Sequence, residues 1–489
     1  MEKNHRIQKH PILDFKRGEI VRFQFEGQWL EGYENESIAA ALFASGVKIF
    51  GRSKRYNHPT GWFCGIGKCS SCLMRVNGIP NIRACITPVR EGMRVALQDK
   101  KGALPDTPDI KVAKKEEHTQ ALIIGGGPAG LEAGITSTRL GLNILIIDEN
   151  PSAGGKLIKQ THKFFGSKKE YAGLRGFEIA TIMLEELRKY GGRYLTETSG
   201  MGYYEKNGKH KFLAVKKRAE DYQLLEITAD NIIVTSGASE NYLPFLGNYL
   251  PGVYGAGGVQ TLMNVYGVKP GNKALIVGTG NVGLIVGYQL LQAGVKVEAL
   301  IETMPRVGGY LVHASKLVRL GVPILLNHTI KEAKGKKYVE GATIVAVDEN
   351  KKPVEGTEIE LDVELILIAV GLSASTRITS QAGCEKMFVP EFGDWLPIHN
   401  ANMETTVDGV YVAGDGSGIA EASTAMLEGR IAGAAIAEKE SYNPREARRI
   451  KEEAINELSK LRESSFLKAV TAGKNRCQQK WDEVNSREK

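Results

Sequence analysis

Hydrophobic and polar positions divide the chain into a short alternating region, a polar stretch and a long region of apolar segments. Residues 19–33 alternate in the manner of a β-hairpin, and residues 36–46 have helical spacing. The polar, proline-containing run 98–120 has the composition of a linker. The pattern therefore predicts a small β-rich domain before this run and an α/β region after it.

The long region contains one pattern twice: an apolar strand, a glycine turn, a helix, a second strand and a final Gly-Gly. Residues 121–155 form the first copy and residues 274–309 the second. Such a copy is typical of a dinucleotide-binding βαβ unit, and two copies in one chain are far more specific than a lone glycine motif. The sequence therefore predicts an α/β fold with two Rossmann-like dinucleotide-binding domains.

The first copy has the residues expected around a pyrophosphate. Its turn and helix start comprise Gly125, Gly127, Pro128, Ala129 and Gly130. The first glycine makes the turn and the second lets a pyrophosphate approach the helix N-terminus. Asp148, at the end of the next strand, is placed to hydrogen-bond ribose hydroxyls, with Glu149 in that role if the strand ends one residue later. An ordinary βαβ unit with a glycine turn is the alternative.

The second copy repeats this arrangement with one added ambiguity. Its turn and helix start comprise Gly278, Gly280, Asn281, Val282 and Gly283. Glu302 closes its second strand, and a carboxylate there repels a 2′-phosphate, which favours NAD over NADP. Arg306, four residues further on, leaves a degenerate or repurposed nucleotide site as the alternative.

Three further apolar strands end at glycine. Two stop at Gly237 and Gly371, as chains do when they cross between nucleotide domains. The third is followed by Gly414, Asp415 and a helix of small residues. A carboxylate at a strand end beside a helix N-terminus suits the ribityl hydroxyls and pyrophosphate of a flavin, with a plain N-cap as the alternative.

The cysteines carry a separate signal. Four of the six have the spacing C-x4-C-x2-C-x12-C: Cys64, Cys69, Cys72 and Cys85. Three thiolates on one loop and a fourth from a later strand can enclose a [2Fe-2S] cluster, and Gly65 and Gly67 let backbone N–H groups turn toward the sulfurs. A zinc site, a disulfide pair and a cluster-free remnant are the alternatives, although zinc spacings favour paired C-x2-C knuckles. Cys384 and Cys477 are predicted to be ordinary thiols.

Composition narrows the class of protein. With 489 residues, 42% of them hydrophobic and 25% charged, the chain is predicted to be globular, with about three domains. No apolar run approaches the roughly 20 residues of a membrane span, and the polar N-terminus lacks the core of a signal peptide, which predicts a cytoplasmic protein. The net charge is +8, and the basic residues are spread along the chain without aromatic interleaving, which favours a solvated surface over nucleic-acid binding and leaves a docking face for an acidic partner open.

From the cysteine loop to the Gly414-Asp415 segment, the motif order resembles FAD-dependent oxidoreductases of the two-dinucleotide-binding-domain flavoprotein superfamily. Within it, the chain is similar to the α-type subunits of dye-linked L-proline dehydrogenases, hydrogen cyanide synthase, opine oxidases and heterotetrameric sarcosine oxidase. The resemblance implies a small β-grasp ferredoxin-like domain ahead of the two Rossmann-like domains. It also implies an FAD held by Gly125, Gly127, Gly130, Asp148, Gly154, Gly155 and Asp415. Lys156 and Lys159 are expected to be solvated lysines, and attraction of a phosphate or of a flavin's negative charge is the alternative.

The resemblance sets the expected domains and partners. The domains are a ferredoxin-like domain (1–98), a linker (99–118), an FAD domain (119–254 and 364–440), a second nucleotide domain (255–363) and a helical tail (441–489). In this group a separate β-type flavin-dependent subunit performs the oxidation, and a small ferredoxin-like subunit can join the hetero-oligomer. Some members hold FMN at a subunit interface, and NAD or ATP at the second nucleotide site.

The chain lacks the reactive cysteine pair of the superfamily's disulfide reductases, and this absence bears on the electron acceptor. Disulfide reductases carry a cysteine pair after the flavin Gly-Gly or in the second domain, and the matching stretches here contain none. The leading hypothesis is therefore an electron-transferring FAD/[2Fe-2S] subunit of an amino-acid or amine dehydrogenase. The alternatives are a self-contained NADH:acceptor oxidoreductase and a nucleotide-binding scaffold. No catalytic acid or base is identified, although His162 and His313 follow the two Gly-Gly turns.

Overall fold

The computed structural model describes residues 5–98, 102–103, 112–165, 167–217, 222–464 and 467–487. The chain forms two compact units. The first unit contains Met1–Pro108 and Ser239–Gly371, and the second contains Asp109–Ala238 and Leu372–Lys489. The chain therefore passes between the units more than once, and the cysteine loop belongs to the same unit as the second glycine turn.

A five-stranded sheet with one helix packed across it forms the N-terminal domain. Its elements are β1 (Ile20–Phe25), β2 (Gln28–Tyr33), α1 (Ile38–Ala44), β3 (Ile49–Arg52), β4 (Pro59–Gly61), β5 (Leu73–Val76), β6 (Ile79–Arg83) and β7 (Arg94–Leu97). The sheet order is β2-β1-β7-β5-β6, and only β1 and β7 are parallel neighbours, while β3 pairs with β4. Every residue of α1 is buried, and Ser37 caps the helix by accepting the Ala40 N–H. The predicted β-grasp domain is confirmed.

The next segment contains most of the first nucleotide domain. Its elements are β8 (Ala113–Ile124), α2 (Pro128–Arg139), β9 (Ile144–Ile147), α3 (Gly176–Lys189), β10 (Arg193–Leu195), β11 (Thr198–Lys206), β12 (Lys209–Lys217), β13 (Tyr222–Val234) and β14 (Ala238–Glu240). Strands β10, β9, β8 and β13 are parallel neighbours in that order, and β12 and β11 extend β13 as an antiparallel meander. All residues of β9 are buried, as expected for a parallel strand covered on both faces.

A second domain with the same plan follows. Its elements are β15 (Val253–Gly255), α4 (Ala256–Asn264), β16 (Lys273–Val277), α5 (Asn281–Gln292), β17 (Lys296–Glu302), α6 (Leu311–Arg319), β18 (Ile324–Leu326), β19 (His328–Lys334), β20 (Gly341–Ala346), β21 (Ile359–Leu361) and β22 (Leu365–Ile368). The parallel sheet has the order β15-β22-β16-β17-β18, and β19-β20-β21 form a separate antiparallel sheet. The prediction of two Rossmann-like domains is confirmed.

The remaining segment completes the first nucleotide domain and adds helices. Its elements are β23 (Leu372–Ala374), α7 (Arg377–Gln381), β24 (Lys386–Val389), β25 (Asp394–Pro397), β26 (Val410–Val412), α8 (Ala422–Lys439), α9 (Pro444–Arg462) and α10 (Lys468–Arg487). Strand β26 joins the main sheet parallel to β13. Helices α2, α8 and α9 share one apolar core, so this segment packs as part of the second unit.

The division differs from the predicted boundaries at four places. Strands β15 and β22 pair with each other, and β22 also pairs with β16. Residues 239–254 and 364–371 therefore lie with the second nucleotide domain, whereas the prediction assigned them to the FAD domain. Residues 113–118 of the predicted linker belong to β8, and most of residues 99–111 lies outside the described residues. The predicted tail consists of α9 and α10, within the second unit.

Candidate cofactor sites

The first glycine turn joins β8 to α2, and its backbone passes too close to its neighbours for side chains. Gly125 has a φ of +108°, and a Cβ there would lie 2.5 Å from Thr235 O. A Cβ on Gly130 would overlap Gly125 O, so α2 packs directly on the turn. Gly127 differs from these two glycines. Apart from its chain neighbours, no heavy atom of the described residues lies within 4 Å of where its Cβ would be. The turn therefore leaves open space at the N-cap of α2, where an anionic group can approach.

Asp148 lies directly after β9 and contacts this turn. Its Oδ2 accepts the Gly126 N–H at 2.7 Å, and its Oδ1 accepts the backbone N–H and side-chain amide of Asn150 at 2.8 and 2.9 Å. Burial raises the pKa of Asp148, and these hydrogen bonds oppose that effect. Since β9 ends at Ile147, Asp148 has the position expected of the ribose-binding carboxylate, and Glu149 is half-buried one residue further on.

The Gly154-Gly155 turn and the Gly414-Asp415 segment flank the same site. The Gly154 N–H donates to Gly126 O at 2.9 Å, and a Cβ on Gly155 would lie 2.8 Å from the Cα of Gly127. Lys156 Nζ lies 2.9 Å from Asp415 Oδ2. This ion pair is only partly exposed, and it neutralises a carboxylate that would otherwise repel a pyrophosphate. The structure thus brings together the predicted residues of this site.

The structure also defines the surroundings of three other positions that the sequence analysis named. Gly237 has a φ of +69°, and its carbonyl accepts the Ser375 N–H at 2.9 Å. Lys159 is buried, so the expectation of a solvated lysine is wrong at this position. His162 stacks on Phe164 with ring centroids 5.3 Å apart.

A buried ionic network that the sequence did not predict supports the Gly414-Asp415 segment. Glu428 on α8 accepts the Gly414 N–H and the Ser417 hydroxyl at 2.9 Å. Lys474 on α10 and Arg462 on α9 each lie 2.8 Å from the other oxygen of Glu428. Burial raises the pKa of Glu428, but the charges of Lys474 and Arg462 outweigh burial and lower it overall. Helices α9 and α10 therefore help to position a loop of the candidate flavin site.

His399 borders this network and should make folding sensitive to pH. Its ring is buried, Nδ1 lies 2.8 Å from Pro397 O, and burial with the charge of Lys474 lowers its pKa from 6.5 to about 4. Between pH 6.5 and pH 4 this histidine is therefore protonated in the unfolded chain but neutral in the folded protein. The free energy of unfolding is thus highest above pH 6.5 and decreases as the pH falls toward 4. We expect the free energy of unfolding to fall by about 2 kcal/mol between pH 7.5 and pH 5 through this histidine.

Urea unfolding at the two pH values checks this expectation. The His399→Asn variant should lack this part of the pH dependence, whereas the exposed His118→Asn control should keep it. Equal pH dependence in both variants would contradict the assigned role of His399.

The second glycine turn joins β16 to α5 and has the same geometry as the first. Gly278 also has a φ of +108°, and a Cβ there would overlap Ala369 O. A Cβ on Gly283 would overlap Gly278 O, whereas a Cβ on Gly280 meets no heavy atom of the described residues within 4 Å beyond its chain neighbours. This turn therefore also leaves space at a helix N-cap.

The other predicted residues around the second turn have different surroundings. Glu302 Oε2 accepts the N–H and hydroxyl of Thr279 at 3.0 and 2.8 Å. Asn281 Oδ1 accepts the Tyr310 N–H at 2.8 Å, and Val282 is exposed at the start of α5. Arg306 is exposed. His313 is buried on α6, and burial lowers its pKa, which favours a neutral structural histidine.

The cysteine loop brings the four predicted thiols together. Each thiol lies close enough to another thiol of the set to shift its pKa, and the interactions with Cys69 and Cys85 lower the pKa of Cys64. Three of the thiols are buried, and Cys69 is partly exposed. Among the described residues, no three His, Cys, Asp or Glu side chains converge on a single metal ion. A [2Fe-2S] cluster requires a different arrangement, four thiolates shared between two irons, and this loop fits it.

Backbone donors surround the sulfurs, as expected from the glycines. Gly65 and Gly67 have φ values of +63° and +72°. The Gly67 N–H donates to Cys85 Sγ at 3.3 Å, and the Ser71 N–H donates to Cys69 Sγ at 3.5 Å. Such bonds stabilise negative charge on thiolates and raise the reduction potential of a cluster that they bind.

The loop is fixed within the first unit by the segment around α4. Trp62 Nε1 donates to Gly258 O at 3.0 Å, and the Gly255 N–H donates to the carbonyl of Phe63 at 3.2 Å. Tyr242 stacks on Phe63 with ring centroids 4.4 Å apart, and burial together with the nearby Cys69 thiol raises the pKa of its hydroxyl. No sequence motif points to Tyr242, since it lies far along the chain from the cysteines.

The other two cysteines are isolated thiols. Cys384 is buried with its Sγ 3.2 Å from the Thr405 hydroxyl, and burial raises its pKa. Cys477 is buried on α10, and burial raises its pKa to about 11. A raised pKa disfavours the reactive thiolate, as expected for ordinary thiols.

Comparison with known families agrees with this geometry. Residues 119–429 match the family model described as pyridine nucleotide-disulphide oxidoreductase. Residues 18–100 match a 2Fe-2S iron-sulfur cluster binding domain. The chain therefore belongs to the pyridine nucleotide-disulphide oxidoreductase family. It is an FAD oxidoreductase whose cofactors are FAD and a [2Fe-2S] cluster.

Individual relatives cover different shares of the chain. The alpha subunit of sarcosine oxidase from Rhizobium meliloti (strain 1021) is 26% identical over 65% of this chain and 38% of that protein. An opine oxidase subunit from Agrobacterium tumefaciens (strain Ach5) is 28% identical over 64% of both. The chain thus spans between about two-fifths and two-thirds of the length of these relatives. The crystal structure of L-proline dehydrogenase from P. horikoshii has the same fold, with a TM-score of 0.67 and 24% identity over 91% of this chain and 79% of that one.

No helix in the described part of the chain is both long and apolar enough to cross a bilayer.

A single methyl group at Gly127 is expected to abolish FAD binding without unfolding the protein. The described residues leave room for the Cβ, and the φ of −77° suits alanine, but the methyl would occupy the space that a pyrophosphate needs. Flavin content of purified Gly127→Ala, with circular dichroism as the check of folding, measures the effect. Gly202→Ala, where a Cβ is equally unobstructed on β11, should keep its flavin. Full flavin occupancy in Gly127→Ala would contradict the assigned site.

Proposed function

We propose that this chain is the electron-transferring FAD/[2Fe-2S] subunit of a multi-subunit dehydrogenase for an amino acid, an amine or a related small molecule. The distribution of cysteines carries this proposal. The family is named for disulphide chemistry, yet the stretches after both Gly-Gly turns lack cysteine, and four of the six cysteines lie in the N-terminal domain. Electrons on FAD therefore need an outlet other than a dithiol, and the cluster supplies it.

Within this proposal each predicted residue has a role. The cluster ligands are Cys64, Cys69, Cys72 and Cys85. The FAD residues are Gly125, Gly127, Pro128, Ala129, Gly130, Asp148, Gly154, Gly155, Lys156, Gly237 and Asp415. FAD accepts two electrons together and releases them singly, which suits a cluster that takes one at a time. The residues of this chain position both groups, and the Gly67 and Ser71 N–H groups stabilise charge on the sulfurs.

A separate flavin-dependent subunit would perform the substrate oxidation. In support, the relatives named above are called subunits of oxidases. A small ferredoxin-like subunit, and FMN at a subunit interface, would complete such a hetero-oligomer. Purification of the native protein tests this directly. Isolation with a second flavoprotein subunit supports the proposal, and a fully active monomer that oxidises an amino acid alone would overturn it.

A self-contained NADH:acceptor oxidoreductase is the second candidate. The intact geometry of the second glycine turn favours it, because Gly280 leaves the same open space as Gly127 and Glu302 suits a ribose. In that case hydride from NADH would reduce FAD before the cluster. A bound adenine nucleotide such as ATP, without hydride transfer, would instead favour the scaffold hypothesis.

Anaerobic mixing with NADH separates these functions. We expect the flavin absorbance to remain unbleached by NADH or NADPH, because the partner subunit supplies the electrons in the leading proposal. Gly280→Ala is the matched variant, which should lose any nucleotide from the second site while keeping FAD. Rapid bleaching in the wild type that is lost in Gly280→Ala would replace the leading proposal with the NADH-dependent function.

A further inference from the structure

All of the excess positive charge of this chain lies in the segment that carries the cysteines. Residues 37–90 contain eight lysines and arginines and no aspartate or glutamate. The formal charge of this segment equals the net charge of +8 of the whole chain, so the remaining residues have equal numbers of basic and acidic side chains. A field of one sign around a redox centre steers charged partners toward it.

Several of these basic side chains are exposed, and one of them contacts a column of stacked aromatic rings. Arg52, Lys54, Arg55 and Lys68 are exposed. The guanidinium of Arg55 lies 5.2 Å from the ring centroid of Tyr56, which is 63% exposed. Tyr56 stacks on His58, which stacks in turn on Tyr249 at 3.7 Å. Arginine and tyrosine are the residues that protein interfaces favour at their centres.

A second exposed ring lies against the thiol nearest to solvent. Tyr242 is 60% exposed, lies close to Cys69 and stacks on Phe63, the residue before Cys64. Two short chain segments connect this ring pair to the aromatic column. Strand β4 runs from His58 toward Phe63, and residues 242–249 run from Tyr242 to Tyr249. The surface over Cys69 is therefore basic, aromatic and accessible.

We propose that this surface, defined by Lys54, Arg55, Tyr56, Lys68 and Tyr242, docks a small acidic one-electron carrier protein of the ferredoxin type. The inference rests on the proposed function and names the partner of its cluster. The positive charges of Lys54, Arg55 and Lys68 select an acidic partner, and the rings provide apolar contact area. One electron passes between cluster and carrier in each encounter. One centre loses the electron that the other gains, and no proton moves and no bond breaks.

Binding of an acidic ferredoxin to the purified protein with its cofactors tests this surface. We expect affinity to fall as salt rises from about 50 to about 200 mM, since screening weakens attraction between exposed charges. The charge-reversed Lys54→Glu/Arg55→Glu variant should lose about tenfold or more in affinity. The matched control Arg188→Glu/Lys189→Glu reverses two exposed charges on α3 and should change affinity by less than about twofold.

Several results would overturn the proposal. One is an equal loss of affinity for the ferredoxin in the two charge-reversed variants, and another is binding that does not respond to salt. A third is binding of single-stranded DNA or of anionic lipid vesicles as tightly as the ferredoxin, which would define a general polyanion surface. Tyr56→Ala gives an independent check, because it should weaken binding without altering charge or any cysteine. Failure to bind the carrier while flavin and cluster are still reduced together would refute this inference and leave the proposed function standing. A cluster that is never reduced would refute the proposed function itself.

Discussion

Replacing Cys69 with alanine is expected to remove the cluster and leave FAD bound. Cys69 belongs to the first unit, where its thiol lies close to that of Cys64, whereas every residue of the first glycine turn belongs to the second unit. A cluster held by three thiolates lacks one iron ligand and should be lost on purification. Transfer to one-electron acceptors should then fall to background. Iron content, visible absorbance and flavin content of the same sample measure the effect.

A second cysteine provides the matched control. Cys384→Ser replaces a buried thiol with a hydroxyl that can keep the hydrogen bond to Thr405, so iron, flavin and electron transfer should all be retained. If Cys69→Ala loses its flavin together with its iron, the cysteine loop is chiefly a structural element and the separation of the two sites is wrong.

Replacing Lys474 with methionine is expected to destabilise the second unit by about 3 kcal/mol, the lower end of the usual cost of removing one member of a buried ion pair, because Arg462 remains beside Glu428. The Lys474 ammonium and the Glu428 carboxylate are both almost fully buried and 2.8 Å apart. Glu428 also holds Gly414 and Ser417, so the loop that carries Asp415 should loosen and FAD should bind more weakly. Urea unfolding at neutral pH and flavin retention on dilution measure these two effects.

An exposed pair on the same helix provides the control. Lys480 and Glu483 lie 2.7 Å apart on α10 with side chains that are 35% and 59% exposed, so Lys480→Met should cost less than about 1 kcal/mol. Equal costs at positions 474 and 480 would contradict the importance of the buried network.

Local spacing made the glycine turns and the cysteine loop predictable. Gly125, Gly130 and Gly278 are required by contacts with carbonyls that lie a few residues away or on the adjoining strand, and these requirements appear directly as sequence motifs. The cysteine spacing likewise encodes a loop whose thiols must meet. Asp148 was predictable because the strand before it is a continuous apolar run.

Contacts between distant segments were not predictable. By pattern alone, the apolar strands β15 and β22 could belong to either parallel sheet. The pairing of β15 with β22, and of β22 with β16, places both strands in the sheet of the second nucleotide domain. Lys474 occurs in a polar helix whose charges indicate an exposed face, and only packing of α10 buries it. The pairing of Lys156 with Asp415 likewise joins two motifs that the sequence presents separately.

Electron paramagnetic resonance of the purified native complex tests the central claim most directly. The bound flavin is reduced anaerobically with light, and the sample is frozen and measured for the signal of a one-electron-reduced [2Fe-2S] cluster. The account predicts that this signal appears as the flavin is reduced, and that it is absent from Cys69→Ala although its flavin is reduced equally. A fully reduced flavin beside a cluster that stays oxidised in the wild-type complex would contradict the claim that electrons pass between FAD and the cluster of this chain.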